Sequence, residues 1–249
     1  MALKPRTDAE LRHMRAAGRV VAEMHDRIRA AVRPGVTTAE LDRIGREVIE
    51  RRGATSNFLG YHGYPAVICA NPNDVIVHGI PSDAVLREGD LLSIDCGAVV
   101  EGWHADAAIT VGVGTLTPEV ARFLATAESA LDAGIAAATA GGRLGDIGAA
   151  VQAVVEGAGY AVVTEYVGHG IGRRMHEAPD VPNVGRVGKG QVLPRGATLA
   201  IEPMLTMGDP DTFLTADEWT VVTADGSLAA QVEHTVVVGP NGGEVLTRA

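Results

Sequence analysis

One segment of this chain recurs, and that recurrence restricts the possible folds more than any other feature. Val85 to Asp95 reads VLREGDLLSID and Val192 to Glu202 reads VLPRGATLAIE, each a strand-like run that ends in an acid. The offset is the same 107 residues from Val85 to Val192 and from Asp95 to Glu202. Pro34 and Gly35, which close the first helical region, stand at that offset from Gly141 and Gly142. This is the signature of a two-fold internal repeat, with halves of about 1–115 and 116–249 inside a single domain spanning 1–249.

The first copy continues into LLSIDCGAVVEGWHADAAIT, Leu91 to Thr110, which places Asp95 and Asp106 in otherwise apolar strand sequence. Leu91 to Val99 and Trp103 to Val111 read as an antiparallel hairpin. If Val100 and Glu101 form the loop, the two acids are directly opposite; if Glu101 and Gly102 form it, they are diagonal. Either register puts both carboxylates on one face, with side-chain bases roughly 5 to 8 Å apart. Acids that close in an apolar sheet repel unless a proton or a cation lies between them. Cys96 faces the other side of its strand as a small core residue. In the second copy, Trp219 to Thr223 and Leu228 to Val238 flank the turn pair Asp225 and Gly226, so a second hairpin is expected, carrying Glu233.

Helical periodicity precedes each acid-bearing strand. Thr7 with Glu10 and Thr37 with Glu40 form capping boxes. The first opens a helix with Leu11, Met14, Ala17, Val21, Met24, Ile28 and Val32 on one face; the second buries Leu41, Ile44 and Val48 and ends near Gly53. In the second half Thr117 caps a helix with Pro118 at its first position, expected to run to Gly141, and Asp146 caps a shorter one ending at Gly157. The stretch LGYHGYPAVICANPNDVIVHGIP reads as strand, turn at Asn71 to Asp74, and strand ending at His78. Its Tyr61, Tyr64 and Cys69 suit a core or a pocket equally. His169 lies among Gly168, Gly170 and Gly172, where the backbone can approach a ligand closely, and His176 follows.

With 249 residues, 46% hydrophobic and 21% charged, the chain can bury a substantial core. Its net charge of −10, with no basic patch interleaved with aromatics, excludes nucleic acid as an expected partner. No apolar run approaches the roughly 18 residues of a membrane span, and MALKPRTDAE has no signal-peptide character. A cytoplasmic protein is expected. Cys69 and Cys96 are too few and too far apart for a disulfide framework or a thiolate zinc site.

Asp95, Asp106, Glu202, Glu233 and His169 together suit two divalent cations. Four negative charges meet four positive ones, oxygen ligands dominate, and the imidazole favours first-row transition metals over magnesium. Two such ions can bridge a water and generate a hydroxide nucleophile near neutral pH, which suits amide hydrolysis. His78 and His176 remain as donors to the scissile group. His13, His25, His62 and His104 read as satisfied structural residues, and His234 as facing away from Glu233.

The motifs GYHGYP, NDVIVHGIP, GDLLSIDCGAV, GWHADAA, YVGHGIGRRMHEAP, LAIEPM and EWTVVTADGSLAAQVEHTVVV make the chain resemble a type I methionine aminopeptidase of peptidase family M24 over essentially its full length. The resemblance implies an α+β pita-bread fold, a curved antiparallel sheet covered by helices in two pseudo-symmetric halves. It implies that Asp95, Asp106, His169, Glu202 and Glu233 are the metal ligands, with Asp106 and Glu233 bridging and Glu202 handling the proton of the attacking water. It matches His78 and His176 to the family's catalytic histidines, and Tyr61, Tyr64, Cys69 and Trp219 to the pocket for the substrate methionine. The implied activity is removal of N-terminal methionine from nascent proteins with a small second residue. The ions would be cobalt, manganese, iron or zinc, and a monomer meeting its substrates at the ribosome is expected. Met175 departs from the phenylalanine common among relatives. The N-terminal extension of some type I enzymes and the helical insertion of type II are not expected. Two other readings are a proline-specific peptidase of the same fold and an inactive peptide-binding module; the intact set of five ligands and two histidines opposes the second.

Overall fold

The computed structural model describes residues 3–248. The first half contains helices α1 (Asp8–Ala31) and α2 (Thr38–Arg52) and strands β1 (Thr55–Ser56), β2 (Ile68–Pro72), β3 (Val75–Val77), β4 (Leu91–Val100) and β5 (Trp103–Gly112). The second contains α3 (Pro118–Ala137), α4 (Leu144–Gly157), β6 (Ala161–Val162), β7 (Gly168–Gly170), β8 (Glu177–Val181) and β9 (Thr198–Ile201). It continues through β10 (Met204–Thr206), β11 (Thr212–Leu214), β12 (Val221–Thr223), β13 (Ala229–Gln231), β14 (His234–Gly239) and β15 (Gly242–Val245). Both capping boxes form, and Gly53 ends α2 in the left-handed region, φ 61°.

The repeat is visible in the hydrogen bonds. Gly35 N donates to Leu86 O at 2.8 Å, and Gly141 N donates to Leu193 O at 2.9 Å. Thr37 bridges Val85 as Arg143 bridges Val192. Each helix pair covers its own apolar layer. Met24, Ile28, Leu41 and Val48 pack on Ile68, Ile94 and Ala107, while Phe123, Leu131, Ile147 and Val151 pack on Leu199, Ile201 and Val236. The halves meet at a seam between β5 and β14. Glu233 N donates to Ala108 O (2.8 Å), and Thr235 Oγ1 both accepts from Asp106 N (2.9 Å) and donates to Asp106 O (2.7 Å).

In the first hairpin Val100 pairs with Trp103, so Glu101 and Gly102 form the turn, with φ of 54° and 72° as a type I′ turn requires. Asp95 therefore lies opposite Ala108 and Asp106 opposite Gly97, the diagonal arrangement.

Three local expectations need correction. α3 stops at Ala137, short of Gly141, because Ala140 N and Gly141 N bond to Gly239 O and Leu193 O, which captures that segment for the sheet. Asp146 is not the cap of α4 but its third residue, accepting from Arg143 N at 2.7 Å. The expected hairpin around Asp225 and Gly226 keeps its turn but its arms separate: β12 pairs with β11 and β3, whereas β13 pairs with β10. The strand expected from Leu228 to Val238 breaks at Val232 and Glu233, where Val232 N donates to Pro203 O. Pro203, which has no N–H, interrupts the facing strand between β9 and β10 at the same level.

Candidate metal and peptide site

Glu202 directly follows β9 and Glu233 directly precedes β14, one step beyond the paired residues Ile201 and His234. The paired breaks thus put two acids side by side at the seam, beside Asp106 of β5. His169 enters from β7, whose His169 pairs with Ala200. All four acids and His169 are at least nine-tenths buried. Asp106, His169 and Glu233 offer ligand atoms that lie within 4.8 Å of one another, and His169 Nε2 is 3.6 Å from Glu202 Oε1. The charge of Asp106 raises the pKa of Asp95 further after burial does so.

The electrostatics call for a cation. Asp95 Oδ1, Asp106 Oδ1 and Glu233 Oε1 are buried without a hydrogen-bond partner, a costly arrangement for charged oxygens. Burial, then the Asp106 charge, holds Asp95, Glu202 and Glu233 well above the usual carboxylate range. Burial pushes Asp106 up to about 7. Burial, with His176 beside it, brings His169 down to about 3 and keeps it neutral. Its Nδ1 is 2.9 Å from Gly170 O, so Nδ1 carries the hydrogen and Nε2 keeps the lone pair a metal needs. The donor set fits divalent ions.

The five ligand candidates open into a cavity of about 160 Å³ also lined by Phe58, Tyr61, Tyr64, Cys69, His78, Met175, His176, Trp219 and Gln231. Every residue expected at the site is therefore brought to it. Tyr64, Cys69 and Met175 belong to a buried cluster with Phe58 and Ala66, against which Tyr61 and Trp219 pack. Tyr64 donates from a hydroxyl 2.9 Å from Gly79 O, which leaves its ring to the pocket. His78 has φ 61°, an unusual value for a residue with a side chain, and its ring meets Tyr166 and Trp219 edge-on. Burial brings His78 down to about 4. His176 lies with its ring centre 4.2 Å from that of His169, and its Nδ1 is 2.8 Å from the Tyr61 hydroxyl.

Some participants were not expected. Gln231 lines the cavity with Glu202, and Asn71 donates to its Oε1 at 3.3 Å; its place two residues before Glu233 was the available signal. Phe58 and Tyr166 carried none. His62 and His104, read as structural, lie near enough to His176 to lower its pKa after burial does so. The satisfied state expected of His25 and His104 fails too, since His25 Nε2 and His104 Nδ1 are buried without partners. His234 does face away from the site, bonding Thr247 Oγ1 at 2.8 Å.

Residues 12–240 match metallopeptidase family M24. The chain is 51% identical to methionine aminopeptidase 1 of Mycobacterium tuberculosis, over 97% of this chain and 94% of that one. Its fold superposes on the methionine aminopeptidase of Thermotoga maritima with a TM-score of 0.97 at 38% identity, covering 99% of this chain and all of the other. An X-Pro aminopeptidase from Thermotoga maritima shares the pita-bread fold alone, at 21% identity and a TM-score of 0.78, with 62% of its length covered. No helix among the described residues is long and apolar enough to cross a membrane. With a family match over nearly the whole sequence and half of all residues shared with a methionine aminopeptidase, the chain belongs to metallopeptidase family M24 and, within it, to the methionine aminopeptidases.

Proposed function

We propose that this chain, as a single catalytic domain, removes the N-terminal methionine of nascent cytoplasmic proteins with a small second residue. In this reading Asp95, Asp106, His169, Glu202 and Glu233 would hold two divalent cations. The observation that carries the reading is the set of unpartnered buried carboxylate oxygens at the floor of a cavity walled by aromatic rings and sulfur. When bound, the ions supply Lewis acidity and a lowered pKa for water.

The side chains do the rest. Glu202, buried at the cluster, takes the proton of the attacking water and returns it to the leaving amine. Tyr61 engages His176 Nδ1, so that Nε2–H of His176 points its hydrogen at the scissile carbonyl oxygen as charge develops there. His78, neutral at working pH, is a second donor. Tyr64, Cys69, Met175 and Trp219 receive the methionine side chain; each sulfur–aromatic contact contributes about 0.3 to 1.5 kcal/mol. Met175 puts a flexible thioether in that wall and widens the tolerance for the first residue. The protein acts as a monomer at the ribosome, and cobalt, manganese, iron and zinc all suit the donor set.

The test is release of methionine from Met-Gly-Met beside cleavage of an X-Pro dipeptide, by chelated protein titrated with each of the four metals. Metal-restored activity on the tripeptide alone is expected and ranks the ions. Cleavage of the X-Pro dipeptide in its place would move the assignment to the proline-specific branch of the fold.

A further inference from the structure

A substrate polypeptide must leave the cavity past the strands that deliver His78 and Trp219, and one of those sheets ends in an open edge. The order is β11-β12-β3, with Leu214 beside Val221 and Val221 beside Val77. His78 follows Val77, and Trp219 sits in the loop joining β11 to β12. The loop is pinned by Asp217, which accepts from Trp219 N (2.9 Å) and Thr220 N (2.8 Å). β11 is thus fixed relative to the site.

Its free edge is prepared for a strand. Asp211 O accepts from Ala224 N and Thr215 N donates to Thr220 O, so the inward-bonding positions of β11 are 211, 213 and 215. By the alternation of antiparallel ladders, Thr212 and Leu214 turn their N–H and C=O away from β12. Phe213 is 60% exposed and Leu214 51%, among the most exposed large apolar side chains described. An open edge with large apolar residues is a liability that folds ordinarily blunt with lysine or proline. Here residues 208–227 contain no Lys or Arg and their one proline, Pro210, lies before β11 and not within it, while Asp209, Asp211 and Glu218 are exposed around the strand, with Glu165 bonded to Thr212.

From these features we infer that β11 is an extended subsite that takes the downstream residues of the substrate polypeptide as an added strand. The inference rests on the aminopeptidase reading and deepens it. A strand added to β11 lies three inter-strand steps from β3, about 14 Å, which an extended chain covers in about four to five residues. Substrate residues from about the fifth onward therefore reach the edge. Thr212 and Leu214 supply the main-chain bonds, Phe213 and Leu214 cover apolar side chains, and the acids select lysine or arginine over glutamate.

The experiment compares kcat/KM for Met-Gly-Met with Met-Gly octapeptides whose later residues alternate valine with lysine or with glutamate. The lysine octapeptide is expected to exceed the tripeptide by about tenfold, the worth of one to two net hydrogen bonds, and the glutamate octapeptide to lose that advantage. Single backbone N-methylations along the lysine peptide from about the fifth residue onward should be tolerated and harmful in alternation. Leu214→Pro removes an outward N–H and keeps the inner ladder; it should erase the advantage of length with tripeptide turnover unchanged. Equal kcat/KM for all three peptides, or N-methylation effects without alternation, would overturn the subsite. Failure on the tripeptide itself would instead overturn the aminopeptidase reading.

Discussion

The carboxylate cluster should make the metal-free protein less stable than a variant that cannot work. Asp106 is 4% exposed, and burial moves its carboxyl from 3.8 to about 7. A carboxyl raised on folding contributes stability that is fully present below its unfolded value and is lost as pH rises through the folded one. The loss attached to Asp106 is about 2 kcal/mol at pH 5 and about 4 kcal/mol at pH 8. Asp106→Asn keeps the shape and cannot ionise. In chelated protein the variant should therefore be more stable than the parent, with a gap that grows over that window, read from urea unfolding at each pH. With both ions restored the order reverses, because each adds about 2.7 kcal/mol to the parent at a hundredfold excess over its Kd, about 5 kcal/mol for the pair against the loss of about 4, while the variant has lost a ligand. Turnover by the variant should be lost throughout. A chelated variant less stable than its parent at pH 8 would refute the reasoning, since Asp106 would then be held by contacts that need no cation.

Asp95→Asn or Glu233→Ala should likewise abolish methionine release in metal-replete assays, and near-normal rates in either would contradict the ligand set. His176→Ala should lower kcat and spare metal binding, measured by metal content and calorimetry together. On the far side of the seam, His25 is fully buried and held at about 3 by desolvation, then by His234 and Arg29. A neutral buried histidine contributes stability that is present above its unfolded value of 6.5 and lost as pH falls toward 3. His25→Leu should accordingly lose about 3 kcal/mol less than the parent between pH 7.5 and 4.5 in urea titrations. A Cβ on Gly18 would stand 1.9 Å from Leu246 O, so Gly18→Ala should destabilise by about 2 to 3 kcal/mol in the same assay with catalytic residues untouched.

What could be read from sequence followed from features with short-range causes. Both capping boxes, the periodic faces of α1 and α2 and the parity of Asp95 and Asp106 depend only on residues a few positions apart, and each formed. The register of the first hairpin stayed open because the Val100–Glu101 and Glu101–Gly102 loops were both possible; the left-handed conformation of Glu101 and Gly102 selects the second. Failures cluster where a distant partner decides. The ends of α3 and α4 depend on bonds to Gly239, Leu193 and Gly188, and the arms of the second hairpin are drawn to β3 and β10. His62 and His104 could not be separated from structural histidines because their nearness to His176 exists only once 62, 104 and 176 are folded together.

The same long-range logic explains why the chemistry sits at the seam. Neither half alone gathers the cluster: Asp95 and Asp106 come from the first hairpin, and His169, Glu202 and Glu233 from the second half. The repeat supplies an acid at the end of β4's copy, but Asp106 and Glu233 meet only because Glu233 N bonds Ala108 O across β5 and β14. Thr235, donating to and accepting from the Asp106 backbone, fixes that crossing from the other side. Duplication alone would yield two half-sites with two uncompensated charges each. Joining them edge to edge gathers four acids at one site, so cations held there would also remove the repulsion that otherwise sets the two halves against each other.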